Sequence, residues 1–287
     1  MKTVVSNNIS PIAIGALGGS GTRVIAEILI QAGVFMGNNL NDANDNLTFT
    51  CLFKRPEWYL NSQKKDRIKH LLVFKKLMAG EKLTIDERIL YSKAYFTNWN
   101  YTLKNKVKAP FKDRRDQQYL AWGWKEPNTH HYIKDLNEVF PDLHYIHVVR
   151  NGLDMAFSGN LQQLKNFGEN YDIQFRSNQD KIPVAQMEYW IRANEHAINL
   201  AREILNERFF LLKFEDLCRN PESNIRRLFR FLNIKLPEPT LQSLFNLPKM
   251  PSSSGRFQQA DLSIFSDEQI SAVQRLGYGM TNKIEEN

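Results

Sequence analysis

Near its start the chain reads Ile12-Ala13-Ile14-Gly15-Ala16-Leu17-Gly18-Gly19-Ser20-Gly21-Thr22-Arg23, an apolar run that breaks into glycines and then into residues of helical pattern. Glycines at 18, 19 and 21 let a backbone curl so that successive amide N–H groups converge on an anion. A helix beginning near Thr22 adds the partial positive charge of its N-terminus. The segment is therefore a candidate cradle for a phosphate or sulfate. It departs from G-x-x-x-x-G-K-[ST], because no lysine precedes Thr22 and Arg23 follows it. Nucleoside triphosphate loops set that lysine on the terminal phosphates, so its absence weighs against an ATP or GTP enzyme. Taken alone, the motif has a second reading, a glycine turn that serves packing only.

A second constellation is Leu143-His144-Tyr145-Ile146-His147-Val148-Val149-Arg150-Asn151-Gly152-Leu153-Asp154-Met155-Ala156-Phe157-Ser158. Arg150 ends an apolar run, and Ser158 follows after a little over two turns, if the intervening residues are helical at about 3.6 per turn. A guanidinium at a strand end and a hydroxyl on the next helix could share one phosphate, the arginine through a forked, charge-assisted contact. An arginine after a strand is ordinarily a surface residue; beside the glycine cradle it acquires a purpose.

These residues need a frame to hold them. Residues 11–17 read as a buried strand and 22–32 as a helix, with Val24, Ile25, Ile28, Leu29 and Ala32 at helical spacing. Residues 38–50, rich in Asn, Asp and Thr, read as a loop. From 56 to 119 the pattern is helical and polar, with one apolar stripe through Leu71, Phe74 and Met78 and another through Ile85, Ile89 and Leu90. The α/β alternation then resumes: strand 120–124, helix 129–140 with Thr129 as N-cap, strand 143–149, helix 152–164, helix 184–206, strand 208–214, and a helix 221–232 opened by Pro221. Strands separated by helices predict an α/β fold, a P-loop-like, mostly parallel sheet covered by helices on both faces. The expected organisation is a single domain over 1–287, with 38–120 as a mainly helical insertion that shapes the substrate site.

Composition sets limits. At 287 residues, 42% hydrophobic and 24% charged, the chain can bury a large core and is not a disordered protein. Asn7, Asn8, Ser10 and Pro11 interrupt any secretory apolar region, and no run approaches the roughly 18 apolar residues of a membrane span. Cys51 and Cys218 are too few for a disulfide framework. A reducing, cytoplasmic setting is expected. The net charge of +7 is uneven: residues 51–120 carry 17 Lys and Arg against 7 Asp and Glu. That surplus is either a solvated helical face or a basic lip that draws in an anionic acceptor.

Together the two constellations resemble the 5′-phosphosulfate loop and the 3′-phosphate motif of the sulfotransferases that use 3′-phosphoadenosine-5′-phosphosulfate (PAPS). Further similar stretches are Gly123-Trp124-Lys125-Glu126-Pro127 with Phe140-Pro141-Asp142, then 210–217 with Asn220-Pro221-Glu222, and Ser254-Gly255-Arg256 before Leu276-Gly277-Tyr278. The resemblance covers residues 12–37 and 120–280. It implies transfer of a sulfonate group from PAPS to an acceptor hydroxyl or amine on a glycan or other small molecule, leaving 3′-phosphoadenosine 5′-phosphate. It implies further that Gly18, Gly19, Ser20, Gly21, Thr22 and Arg23 hold the 5′-phosphosulfate, that Arg150 and Ser158 hold the 3′-phosphate, and that Arg256 lies in a loop closing on the cofactor. Lys125 matches a lysine placed near the transferring sulfonate. One departure is Gly19, where many members carry Lys or Arg; Arg23 or Lys125 must then supply that charge, or the chain binds the nucleotide without catalysis.

Such a transfer needs alignment and charge neutralisation, and no metal ion is expected. An acceptor hydroxyl needs a base, for which Asp42, Asp45, His130 and His131 are candidates, Asp45 being preferred because its loop should hang above the cradle. His147 reads as a core histidine. Trp58, Tyr59, Tyr95, Trp99 and Tyr101 suit a glycan or another anionic, ring-bearing acceptor, or else the core. Two other classes stay open: a nucleotide or small-molecule kinase, and a non-catalytic protein that binds anions. Nucleic acid is not an expected partner.

Overall fold

A computed structural model describes residues 10–97, 119–173 and 182–279. Among the described residues five strands form one sheet in the order β2-β3-β1-β4-β5. They are β1 (Ile12–Ala16), β2 (Val34–Phe35), β3 (Ala121–Lys125), β4 (His144–Val149) and β5 (Phe209–Lys213). Every pairing is parallel. Parallel strands need crossovers, which put helices on both faces and bury both sets of side chains. That is why β1 reads as an uninterrupted apolar run, and all five of its residues are buried.

On one face Ile12, Ile14, Ile146, Val148 and Leu212 pack on α1 (Thr22–Gln31) and on the later helix Pro221–Phe231 through Ile25, Ile28, Leu29, Ile225 and Leu228. The opposite face carries Ala13, Trp124 and Tyr145. These are covered by α2 (Leu47–Phe53), α4 (Lys64–Ala79), α6 (Ile133–Val139) and α9 (Ile182–Leu205). Between them in sequence lie α3 (Pro56–Asn61), α5 (Ile85–Thr97), α7 (Gly152–Ala156) and α8 (Gln162–Phe167). No helix among the described residues is long and apolar enough to cross a membrane.

Three local expectations are corrected. The expected loop 38–50 turns helical at Leu47, because the Asn46 side chain caps the amide of Phe49 at 2.9 Å while its Nδ2 donates to the Met36 carbonyl. Thr129 is not an N-cap: residues Pro127–Tyr132 form a 3-10 turn, and the Glu126 carboxylate caps the Asn128 amide. The expected helix 152–164 breaks after Ala156. Its terminal carbonyls are satisfied from outside, Gln186 Nε2 donating to Ala156 O at 2.8 Å and to Ser158 O at 2.7 Å.

His147 is a core residue as expected. Asn194 donates its amide to the Trp190 carbonyl, which turns its Oδ1 toward His147 Nε2 at 2.9 Å. Nε2 therefore carries the proton and Nδ1 accepts from the Tyr145 hydroxyl at 2.8 Å. Burial pushes the His147 pKa down to about 4, and that of fully buried His130 to about 3. Folded-state values below the unfolded one mean that only the unfolded chain takes up protons as pH falls below about 6.5. Stability should then drop by about 1.4 kcal/mol per pH unit for each imidazole. Urea midpoints measured at pH 7.5 and pH 5.5 check this; equal midpoints would mean that both rings protonate in place.

Candidate functional site

The site gathers at the C-terminal ends of three neighbouring strands, β3, β1 and β4. There a cleft of about 1010 Å³ is lined by Gly18, Gly19, Gly21, Thr22, Arg23, Asp42, Asp45, Lys125 and Arg150. Of the residues expected at the site, these come together. Ser20, Ser158 and Arg256 do not line the cleft.

The cradle follows β1. Gly19 and Gly21 have φ of 97° and 84°, a region that side chains avoid. Gly21 is also the residue before α1, so that helix begins with no side-chain cap. Its first amides therefore lack an intrahelical acceptor, an arrangement that suits an anion. Not every loop amide is available, since Ser20 N–H donates to the Leu17 carbonyl at 3.1 Å and Gly18 N–H to Gln163. A Cβ on Gly21 would stand 2.1 Å from Phe214 Cδ2. Gly21→Ala should therefore displace Phe214 or the loop and weaken binding of 3′,5′-adenosine bisphosphate by about tenfold or more, on the scale of a strained backbone. Titration calorimetry on variant shown folded by circular dichroism checks it; wild-type affinity would mean the loop holds no anion.

Arg150 follows β4. Its Nη1 donates to the Gly19 carbonyl at 3.2 Å, and its Nη2 to the hydroxyls of Ser253 and Ser254 at 3.0 and 3.2 Å. Burial lowers its pKa, opposed by Asp154 and then by Glu215, whose carboxylate lies 4.0 Å from Nε. The pairing with Ser158 is not seen. With α7 ended at Ala156, the Ser158 hydroxyl sits in the following loop and accepts from the Asn160 amide at 3.2 Å. Arg256 Nε donates to Ser253 O at 3.0 Å, so its turn is joined to Arg150 through that serine. Asp154 fixes the same turn by accepting from the Gly255 amide at 2.9 Å. Ser253 was missed because nothing local marks a serine over a hundred residues away as a partner of Arg150.

Lys125 ends β3 and is 1% exposed. Its Nζ donates to the Ala43 carbonyl at 2.5 Å and pairs with Asp45. Burial lowers its pKa and the Asp45 carboxylate opposes that shift. Asp45 also accepts from Asn41 Nδ2 at 2.9 Å, and Asn41 Oδ1 accepts from the amides of Ala43 and Asp45. The Asn- and Asp-rich stretch is thus a folded turn that does hang beside the cradle. Glu126, next in sequence, is almost fully buried, and burial raises its pKa to about 7 against the opposing charge of Lys54.

His130 and His131 do not line the cleft. His130 Nδ1 bonds the Pro127 carbonyl at 2.9 Å, and its ring stacks 4.0 Å from that of His131, which lies 4.3 Å from Phe167. Burial holds both neutral. Trp58, Tyr59 and Tyr95 pack on the core; Trp99 and Tyr101 lie outside the described residues. Of the basic segment's described cations, Lys54 reaches the cleft. Others serve structure: Arg67 pairs with Asp135, Lys64 with Glu138, Lys76 with Glu87, and Arg55 lies 4.2 Å over Trp58.

A glycine cradle without the nucleoside triphosphate lysine, an arginine after the fourth strand and a buried lysine after the third thus meet in one cleft. The chain belongs to the sulfotransferase family, which it matches over residues 11–238. It is 29% identical over 140 residues to the omega-hydroxy-beta-dihydromenaquinone-9 sulfotransferase Stf3 of Mycobacterium bovis and of Mycobacterium tuberculosis. Those matches cover 47% of this chain and 34% of each relative, so the chain spans about a third of the length of the curated relatives it matches. In fold it is similar to the sulfotransferase domain from the curacin biosynthetic pathway (TM-score 0.55, 13% identity, 96% of this chain and 100% of that one). It is also similar to the sulfotransferase domain of the Synechococcus PCC 7002 olefin synthase (TM-score 0.50, 15% identity, 96% and 98%). Family membership weighs against the kinase reading.

Proposed function

We propose that the protein transfers a sulfonate group from PAPS to a hydroxyl of a small-molecule or glycan acceptor. The observation that carries this is the convergence of the cradle, Arg150 and the Lys125–Asp45 pair on one cleft. The donor fits these residues. Two glycines of positive φ and an uncapped helix end suit its 5′ anion, Arg150 with the serines beside it suits a 3′-phosphate, and the cleft has the volume of a nucleotide site. PAPS supplies the activated sulfonate.

Each protein group then has a task. Gly19, Gly21, Thr22 and Arg23 hold the 5′ end, with Gly18 and Ser20 shaping the turn. Arg150 grips the 3′ end, and the turn that carries Arg256 is joined to it through Ser253. Lys125 steadies negative charge on the departing phosphate oxygen, the work that a cation in place of Gly19 does in many relatives. Asp45 takes the acceptor's proton. Preorganised charge of this kind is the largest ordinary contribution to such catalysis. Asp45 and Lys54 bring segment 38–120 to the cleft, which supports its reading as an acceptor-shaping insertion within one domain over 1–287.

The polar lining by Asn44, Asn160, Gln162, Lys54 and Lys249 favours a hydroxylated or anionic acceptor. The Mycobacterium relatives are named for an omega-hydroxylated dihydromenaquinone, and that class belongs in the same test. Incubating the protein with PAPS and a panel of sugars, phenols, lipid alcohols and peptides, with products weighed by mass spectrometry, should give a mass gain of one sulfonate. No product from any class, together with no affinity for 3′,5′-adenosine bisphosphate, would end the proposal.

A further inference from the structure

One wall of the cleft contains a chain of buried side chains that begins at Glu126 and ends on the cradle. Glu126 Oε2 accepts from the Asn128 backbone N–H at 2.7 Å, and Oε1 accepts from Asn128 Nδ2 at 2.9 Å. With its amide nitrogen so committed, Asn128 presents Oδ1 to Gln163 Nε2 at 2.7 Å. Gln163 in turn presents Oε1 to the N–H of Gly18. Glu126, Asn128 and Gln163 are 2%, 2% and 9% exposed. Above about pH 7, where Glu126 is ionised, its carboxylate offers only acceptors and the backbone N–H of Gly18 only a donor, so the two ends dictate the orientation of both amides between them. The chain of bonds has one polarity.

We propose that Glu126, Asn128 and Gln163 form a positioning relay that orients the Gly18 peptide, and with it the entry of the donor loop. The proposal rests on the reading of the cleft as the PAPS site. The relay joins the strand end that carries Lys125 to the loop after the neighbouring strand β1. Asn128 and Gln163 are positioning residues; neither needs to touch the reacting atoms.

The polarity makes a prediction that packing does not. In Glu126→Gln the side chain keeps its shape, but one oxygen becomes NH2. The Asn128 backbone N–H still needs the remaining oxygen, so the new NH2 faces the Asn128 side chain. Asn128 then turns its Oδ1 to residue 126 and its Nδ2 to Gln163. Gln163 answers with its oxygen, which leaves its own NH2 against the Gly18 N–H, two donors face to face. A buried donor without an acceptor costs enough to weaken the site about tenfold. Gln163→Glu alone sets carboxylates on both sides of one Asn128 amide, which can donate to only one of them, and should weaken it by about as much. Combining the two moves the carboxylate from one end of the relay to the other and satisfies every donor again.

The expected result is therefore reciprocal rescue. Calorimetry with 3′,5′-adenosine bisphosphate should show each single variant weakened about tenfold and the double variant within about threefold of wild type, a non-additivity that independent sites do not give. Hydrogen exchange at the Gly18 amide in the ligand-free protein, read by NMR, should show protection in wild type, loss in Glu126→Gln and return in the double variant. Melting curves confirm that each is folded. Wild-type exchange at Gly18 in Glu126→Gln, or a double variant as weak as the sum of the singles, overturns the relay. If the wild type does not bind the bisphosphate, the donor reading fails, and the exchange measurement alone then decides for or against the relay.

Discussion

Lys125→Ala should turn over PAPS roughly 10² to 10³ times more slowly than wild type, the size of effect seen when a single preorganised charge partner is removed from a transition state. The lysine is nearly inaccessible, yet its ammonium group opens on the cleft beside Asp45. Its role in the loop is real as well, because Nζ donates to the Ala43 carbonyl. The two contributions separate in the measurement. A charge needed on the departing oxygen lowers kcat and leaves affinity for 3′,5′-adenosine bisphosphate within about threefold, whereas a collapsed turn lowers both. Lys125→Met, which keeps most of the volume without the charge, should behave like the alanine variant. Wild-type turnover in either variant removes Lys125 from the catalytic groups.

Arg150→Ala should weaken the bisphosphate by about a hundredfold, since hydrogen bonds to charged groups contribute about 1.5–3 kcal/mol and the guanidinium presents a fork. The informative control is adenosine 5′-phosphate, which lacks the 3′ group. Its affinity should be low for both proteins and nearly equal between them. Loss of the arginine also leaves Glu215 buried without its nearest cation, so melting must be read beside binding. Unchanged affinity for the bisphosphate would mean that Arg150 serves only to tie the Ser253–Ser254 turn to the cradle.

Short-range patterns in the sequence carried most of the fold. The apolar runs of β1 and β4 and the glycines after β1 lie where their pattern predicts, and the strand expected over 120–124 runs over Ala121–Lys125. What was not legible depends on partners distant in sequence. No local feature of 152–164 announces that Gln186 will take the carbonyls of Ala156 and Ser158 and so end the helix. The same break moves Ser158 off the helical face on which its spacing from Arg150 relied. Asn46 looked like one more loop asparagine; its role as a cap depends on the Met36 carbonyl that fixes its amide. His130 and His131 have the chemistry of bases but face the aromatic core, because the 3-10 turn aims them away from the cleft.

The three motifs hang from adjacent strands, with Ile12 opposite Gly123 on one side and His144 on the other. Their mutual spacing is thus a property of peptide hydrogen bonds between neighbouring chains, about 4.8 Å per step, and owes little to which side chains fill the layers above and below. A ruler of this sort tolerates drift in the interior while keeping its graduations. Solved structures that share only about one residue in seven with this chain can therefore have a similar fold.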